Sequence, residues 1–188
     1  MHGKKTDKKG ISIFISHVIA IAILFVIMIL VSVQFYNYYY SVKNEVQESQ
    51  AKVLSQRVAN DVLNLYTNYK YSNYELKEGE NKTLSEVYIN IPEKISGNNY
   101  IISLEQHGEF WIEGGIEGES SSEEERPYMS VRVKIESKPL VTYDYPIYNL
   151  ISANVSGSVR MATKIKLSYV RENENGVLKD YIIMERVQ

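Results

Sequence analysis

Groups able to do acid–base or nucleophilic chemistry are sparse in this chain of 188 residues. Beyond residue 10 the imidazoles are His17 and His107, the aspartates are Asp61, Asp144 and Asp180, and cysteine is absent. Ser103, Glu105, His107 and Glu109 lie close in sequence, but polar neighbours along strands do not converge as nucleophile, base and orienting acid must. His107 beside Gly108 reads as a turn residue. The lack of cysteine removes a thiol nucleophile, a thiolate zinc site and a disulfide framework together. There is no Gly-rich phosphate loop, His-Glu-x-x-His helix, dinucleotide fingerprint or basic patch suited to nucleic acid. Glu117, Glu119, Glu123, Glu124 and Glu125 offer oxygens of the kind calcium takes, but without EF-hand spacing, so a solvated surface loop over Gly114 to Arg126 is the plainer expectation. The better-marked chemistry is modification. Asn81-Lys82-Thr83 and Asn154-Val155-Ser156 are N-glycosylation sequons, which have meaning only on a chain exposed beyond a membrane. A non-enzymatic protein is expected, without metal, cofactor, small-molecule substrate or nucleic-acid partner.

The elements that carry these groups begin with a membrane segment. Ile11 to Val33 is apolar except for Ser12, Ser16, His17 and Ser32. At 1.5 Å per residue it reaches roughly 34 Å as a helix, enough to cross a hydrocarbon core of about 30 Å. Residues 1 to 10 carry a net charge of +3 from Lys4, Lys5, Lys8 and Lys9 against Asp7. Phe35, Tyr36, Tyr38, Tyr39 and Tyr40 follow the span. A basic flank before and an aromatic belt after predict a cytoplasmic N-terminus and an external C-terminal part. His17 and Ser16, about one turn into the span, would bond a backbone carbonyl or reach the headgroups; a partner helix is the sharper reading.

Lys8-Lys9-Gly10 directly before Ile11 and the apolar run resembles the class III signal peptide of archaeal type IV pilins and archaellins. The resemblance implies a prepilin peptidase that cuts between Gly10 and Ile11 on the cytoplasmic side, removing the basic leader and keeping the helix. Bacterial type IV pilins usually carry glutamate at the fifth mature position, which here is Ile15, so the archaeal branch is favoured. The phrase Ile91 to Ile102 is similar to a hairpin of archaeal pilin-like secreted proteins, and the two sequons agree with glycosylated surface filaments.

Between Gly10 and Gly79, 68 residues contain neither glycine nor proline, so the helix is expected to continue past the membrane. Val42, Val46, Val53, Leu54, Val58, Val62, Leu65 and Tyr69 recur mostly at spacings of three, four or seven, with charged residues between them. This predicts an amphipathic helix whose stripe is covered by the chain's own β domain or by a neighbouring subunit. Strands are expected at Glu86 to Ile91, Tyr100 to Gln106, Glu109 to Glu113, Tyr128 to Ser137, Leu140 to Tyr145, Arg160 to Arg171 and Val177 to Val187, with turns at Ser96 to Asn99 and Glu174 to Gly176. The fold expected is α+β: a long N-terminal helix followed by an antiparallel β-sandwich-like or curved-sheet head. Its parts are a leader (1–10), an apolar transmembrane or filament-core helix (11–34), an amphipathic continuation (35–78) and an extracellular β-rich domain (79–188).

The function that the resemblance implies is a subunit of a cell-surface type IV pilus or archaellum-type structure, assembled through its apolar helix with copies of itself or related pilins. Its other partners would be membrane lipid and the prepilin peptidase. The alternative is a single-pass protein anchored permanently in the cell membrane, whose external domain holds a partner in adhesion, as a stator or as an envelope brace.

Overall fold

The computed structural model describes residues 7–72, 74–107, 128–148 and 153–187, with side chains from Phe14 onward. The strand expected at 109–113 and the acidic stretch at 114–126 lie outside the described residues. The chain forms two compact units, Met1–Asn44 and Glu45–Gln188. Helix α1, Asp7–Tyr69, supplies residues to both. Eight strands follow: β1 Asn81–Asn90, β2 Tyr100–His107, β3 Tyr128–Ile135, β4 Val141–Ile147, β5 Ala153–Ser156, β6 Ser158–Arg160, β7 Lys164–Glu174 and β8 Val177–Arg186. The α+β class expected from the sequence is the class observed.

Among the described residues the strands make two four-stranded sheets, ordered β1-β7-β8-β5 and β4-β3-β2-β6. Every pairing is antiparallel except β5 with β8. The β7–β8 hairpin closes through Asn175 and Gly176, at φ of 55° and 82°. Two consecutive left-handed residues make the twist-matched turn for which Asn-Gly is suited. Ser96 and Gly97, at 47° and 78°, repeat that geometry between Ile95 and Asn98. Both turns fall where the sequence puts them.

The strands differ from expectation at three places. β1 starts five residues earlier than Glu86, because polar Asn81, Lys82 and Thr83 extend the pairing with β7 without extending the apolar alternation. The run from Arg160 to Arg171 is broken: β6 ends at Arg160, Met161 turns at a φ of 49°, and β7 starts at Lys164. β5 is a strand where the Ser- and Asn-containing run gives no β signal. Gly157 lies between β5 and β6, and a Cβ there would stand 2.2 Å from the carbonyl oxygen of Met184. Only glycine tolerates that approach at its φ of 126°. The bend sends one extended segment from the first sheet into the second.

The core of the second unit joins both sheets to α1. Ala51, Leu54, Val58, Val62 and Leu65 from the helix are buried with Ile165, Leu167 and Tyr169 of β7, Ile182 and Met184 of β8, and Val131, Val133 and Ile135 of β3. The chain's own sheets therefore cover the helix stripe. The stripe is nevertheless narrower than the sequence suggests, since Val42, Val46 and Val53 are exposed. At 3.6 residues per turn Val46 and Val53 lie about 120–140° around the helix from Val58, on the opposite side from the sheets.

Candidate functional site

Among the described residues of the first unit, the stretch from Phe14 to Val33 presents mainly apolar surface. Each large apolar side chain from Phe14 to Val33 is at least 50% exposed, because the run is hydrophobic on every face and no element of the unit covers it. α1 is thus long and apolar enough to cross a membrane near the N-terminus. Ser32 does not disturb this, since its hydroxyl donates to the Met28 carbonyl at 2.7 Å. Phe35, Tyr36, Tyr38 and Tyr39 are exposed beyond it, with Tyr36 and Tyr40 rings 4.4 Å apart. Lys8, Lys9, Gly10 and Ile11 lie within the first turns of α1; their side chains are outside the description.

The sequons sit on two different strands of the first sheet. Asn81 opens β1 and Asn154 is the second residue of β5, both exposed, as are Thr83 and Ser156. Nothing brings them together.

On the outward face of the second sheet, the polar residues singled out from the sequence take separate partners. His107 closes β2 as its last residue and is not a turn residue. Its Nε2 lies 2.8 Å from Ser130 Oγ, and its ring stacks on Tyr128 at 4.6 Å. Ser103 instead donates to Glu105 at 3.0 Å, Glu105 pairs with Arg132, and Arg132 reaches Asp144 at 2.6 Å. The Asp144 hydrogen bond, with its charge and that of Glu105, holds the Arg132 guanidinium above its ordinary value. Ser103 and His107 therefore form no triad. Sequence reading missed the Ser130–His107 pair because 23 residues separate its members, and the register of β2 against β3 brings them near. Ser130 is 1% exposed. Among the described residues no group of three metal-binding side chains occurs.

The densest polar cluster surrounds Arg171, 5% exposed on the core side of β7. Its Nη1 donates to the carbonyl of Ser72 at 2.7 Å, and its Nη2 donates to those of Lys70 at 2.9 Å and Tyr69 at 3.4 Å. Its other edge grips Asp180 on β8. A helix C-terminus leaves carbonyls without partners and carries partial negative charge. A guanidinium placed there satisfies both demands. Hydrogen bonding and charge from Asp180 raise the Arg171 pKa. Burial, followed by the Asp180 hydrogen bond, raises that of Tyr169. Ser72 helps to stop the helix, its hydroxyl donating to Tyr69 O at 2.6 Å. Asn173 Nδ2 then fixes the exit by donating to Leu76 O at 2.8 Å. Beside this anchor opens a cleft of about 1050 Å³.

No family model matches the chain, and neither a curated protein nor a solved structure matches it. Its function must be argued from these sites.

Proposed function

We propose that the chain is a non-enzymatic, pilin-like subunit of a cell-surface filament. The observation that carries this reading is the two-part environment of α1: uncovered apolar surface from Phe14 to Val33, and a buried stripe from Ala51 to Tyr66 under the second unit's sheets. A helix apolar on all faces needs lipid or other apolar helices around it. One sequence thus suits storage in the membrane and later packing among copies. The leader at Lys8, Lys9 and Gly10 would be cut before Ile11, the N-terminus would face the cytoplasm and the β unit the outside, with Asn81 and Asn154 open to glycosylation.

The test is to shear cells that produce the chain and sediment the released material, for wild type and for Ile23→Asp. Wild type is expected in the sheared high-mass fraction. The variant is expected to be absent from it while its β unit still folds, since an unpaired charge among apolar helices costs several kcal/mol. Retention of the wild type in membranes of cells that visibly carry filaments would overturn the reading in favour of a permanent anchor with an external binding domain.

A further inference from the structure

We propose that a glycan on Asn154 folds back onto the outward face of the first sheet and braces it, whereas one on Asn81 stays in solvent. The inference rests on the external placement of the β unit proposed above, but not on filament assembly. Arg171 and Asp180 lie on the core side of β7 and β8, so Val170 and Tyr181, which pair with each other one residue along, point outward. Asn154 of β5 pairs with Tyr181 in parallel register, and Ser156 pairs with Ile183. Residues paired in this way share a face. Asn154 therefore stands exposed on the edge strand, with Tyr181 beside it and Val170 one strand further in. Val170, Tyr181 and Ile183 are half-buried, so each still offers apolar surface to that face.

The two sequons differ in the surroundings that a sugar would meet. A pyranose has a C–H face that rests on aromatic or aliphatic surface and hydroxyls that stay in water at the rim. Tyr181, with an apolar ring and a polar tip, suits both, and Val170 and Ile183 extend the surface. Asn81 instead pairs with Glu172, which pairs with Lys179. Charged neighbours keep their water and give a C–H face nothing to rest on. Ser168, opposite Ile183 on the outward face, is 5% exposed, and its Oγ has no hydrogen-bond partner. A hydroxyl in that state gains when a group from outside reaches it, and the sugars beyond the first carry several that can. The glycan is covalently tethered, so even a weak contact acts at the high effective concentration of an intramolecular one.

The experiment uses the full chain in phosphatidylcholine nanodiscs, produced once in a host that N-glycosylates external chains and once in a host that does not. Asn81→Gln leaves Asn154 as the sequon tested, and Asn154→Gln leaves Asn81. Mass spectrometry reads occupancy, urea unfolding reads the folding constant of each form with and without its glycan, and NMR reads sugar–ring contacts. The glycan on Asn154 is expected to raise the folding constant about fivefold and to show nuclear Overhauser contacts with the Tyr181 ring. The glycan on Asn81 is expected to change it less than about twofold. Tyr181→Ala, added to Asn81→Gln, is expected to lose the fivefold gain; comparing its glycosylated form with its own bare form removes any cost of the substitution itself. The proposal is overturned if Asn154 stays unmodified while Asn81 is occupied, if the two glycans stabilise equally, or if Tyr181→Ala keeps the gain. If neither asparagine is modified, the external placement of the β unit is overturned, and this inference with it.

Discussion

Arg171 and Asp180 face each other across the β7–β8 ladder, Nε to Oδ1 at 2.7 Å and Nη2 to Oδ2 at 3.2 Å, with side chains only 6% and 13% exposed. The pair spends one edge of the guanidinium on the carboxylate and the other on the end of α1. Removing Arg171 would leave a nearly buried carboxylate without its cation and take a donor from the carbonyls of Tyr69, Lys70 and Ser72 at and just beyond the end of α1. Arg171→Met is therefore expected to destabilise the second unit by about 3–5 kcal/mol, since breaking a buried pair from one side leaves its charge uncompensated. Arg171→Lys should recover little, because an ammonium cannot serve carboxylate and carbonyls in one plane. Urea unfolding of the full chain followed by tyrosine circular dichroism measures both.

This anchor was partly legible in the sequence. On β7 the buried residues Ile165, Leu167 and Tyr169 alternate in phase with Arg171, and on β8 Ile182 and Met184 are in phase with Asp180. A charge of each sign at a core position, on two strands joined by Asn-Gly, marks a buried cross-strand pair. The three carbonyls it caps were not legible, because α1 has no glycine at its end to announce the stop.

Alkaline pH should unfold the second unit through its buried phenols. Burial pushes Tyr100 from 10.0 up to about 12, and its hydroxyl donates to Pro92 O at 2.5 Å. A pKa raised in the fold means that the unfolded chain loses its proton first. Stability is thus fully present below pH 10 and falls as pH rises from 10 towards 12, by about 1.4 kcal/mol per pH unit for such a tyrosine. Tyr169, raised in the same direction, adds to the slope. Tyr100→Phe is expected to flatten the stability profile above pH 10 in denaturant titrations.

Gly157 permits the passage of one segment between the sheets. Gly157→Ala would set a Cβ 2.2 Å from Met184 O and impose an L-residue on a φ of 126°. The expected loss is about 2–5 kcal/mol, from strain and displaced backbone together. Thermal unfolding checks it. Nothing in the surrounding Ser and Val residues distinguishes this glycine from one in an ordinary loop, which is why β5 and β6 were not foreseen.

The helix stripe separates what periodicity can and cannot tell. Val53 fits the stripe by its spacing of seven from Val46, and Leu65 by spacings of three from Val62 and four from Tyr69, yet Leu65 is 1% exposed and Val53 is 64% exposed. Leu65→Ala should therefore cost about 2–5 kcal/mol, by lost burial plus the cavity left behind. Val53→Ala should stay within about 0.5 kcal/mol. Equal losses at the two sites would mean that another surface covers Val53. The apolar run from Phe14 to Val33 needed no such sorting, because its composition alone predicts that nothing within its unit covers it.

On the pilin reading, processing and assembly are linked through charge. Lys4, Lys5, Lys8 and Lys9 lie before Ile11, and each lysine near an anionic leaflet holds on by about 1 kcal/mol. Cutting after Gly10 removes them together with Asp7 and frees the apolar helix from its cytoplasmic tether. Intact-mass measurement of the chain from sheared surface material is expected to give a mature protein beginning at Ile11. Gly10→Val, which keeps both the lysines and the apolar run, is expected to leave a longer chain confined to membranes. Because the substitution alters neither the span nor the β unit, its confinement would trace to the uncut leader. Surface material that begins upstream of Ile11, or release of Gly10→Val at the wild-type level, would separate assembly from cleavage and remove the leader from the reading.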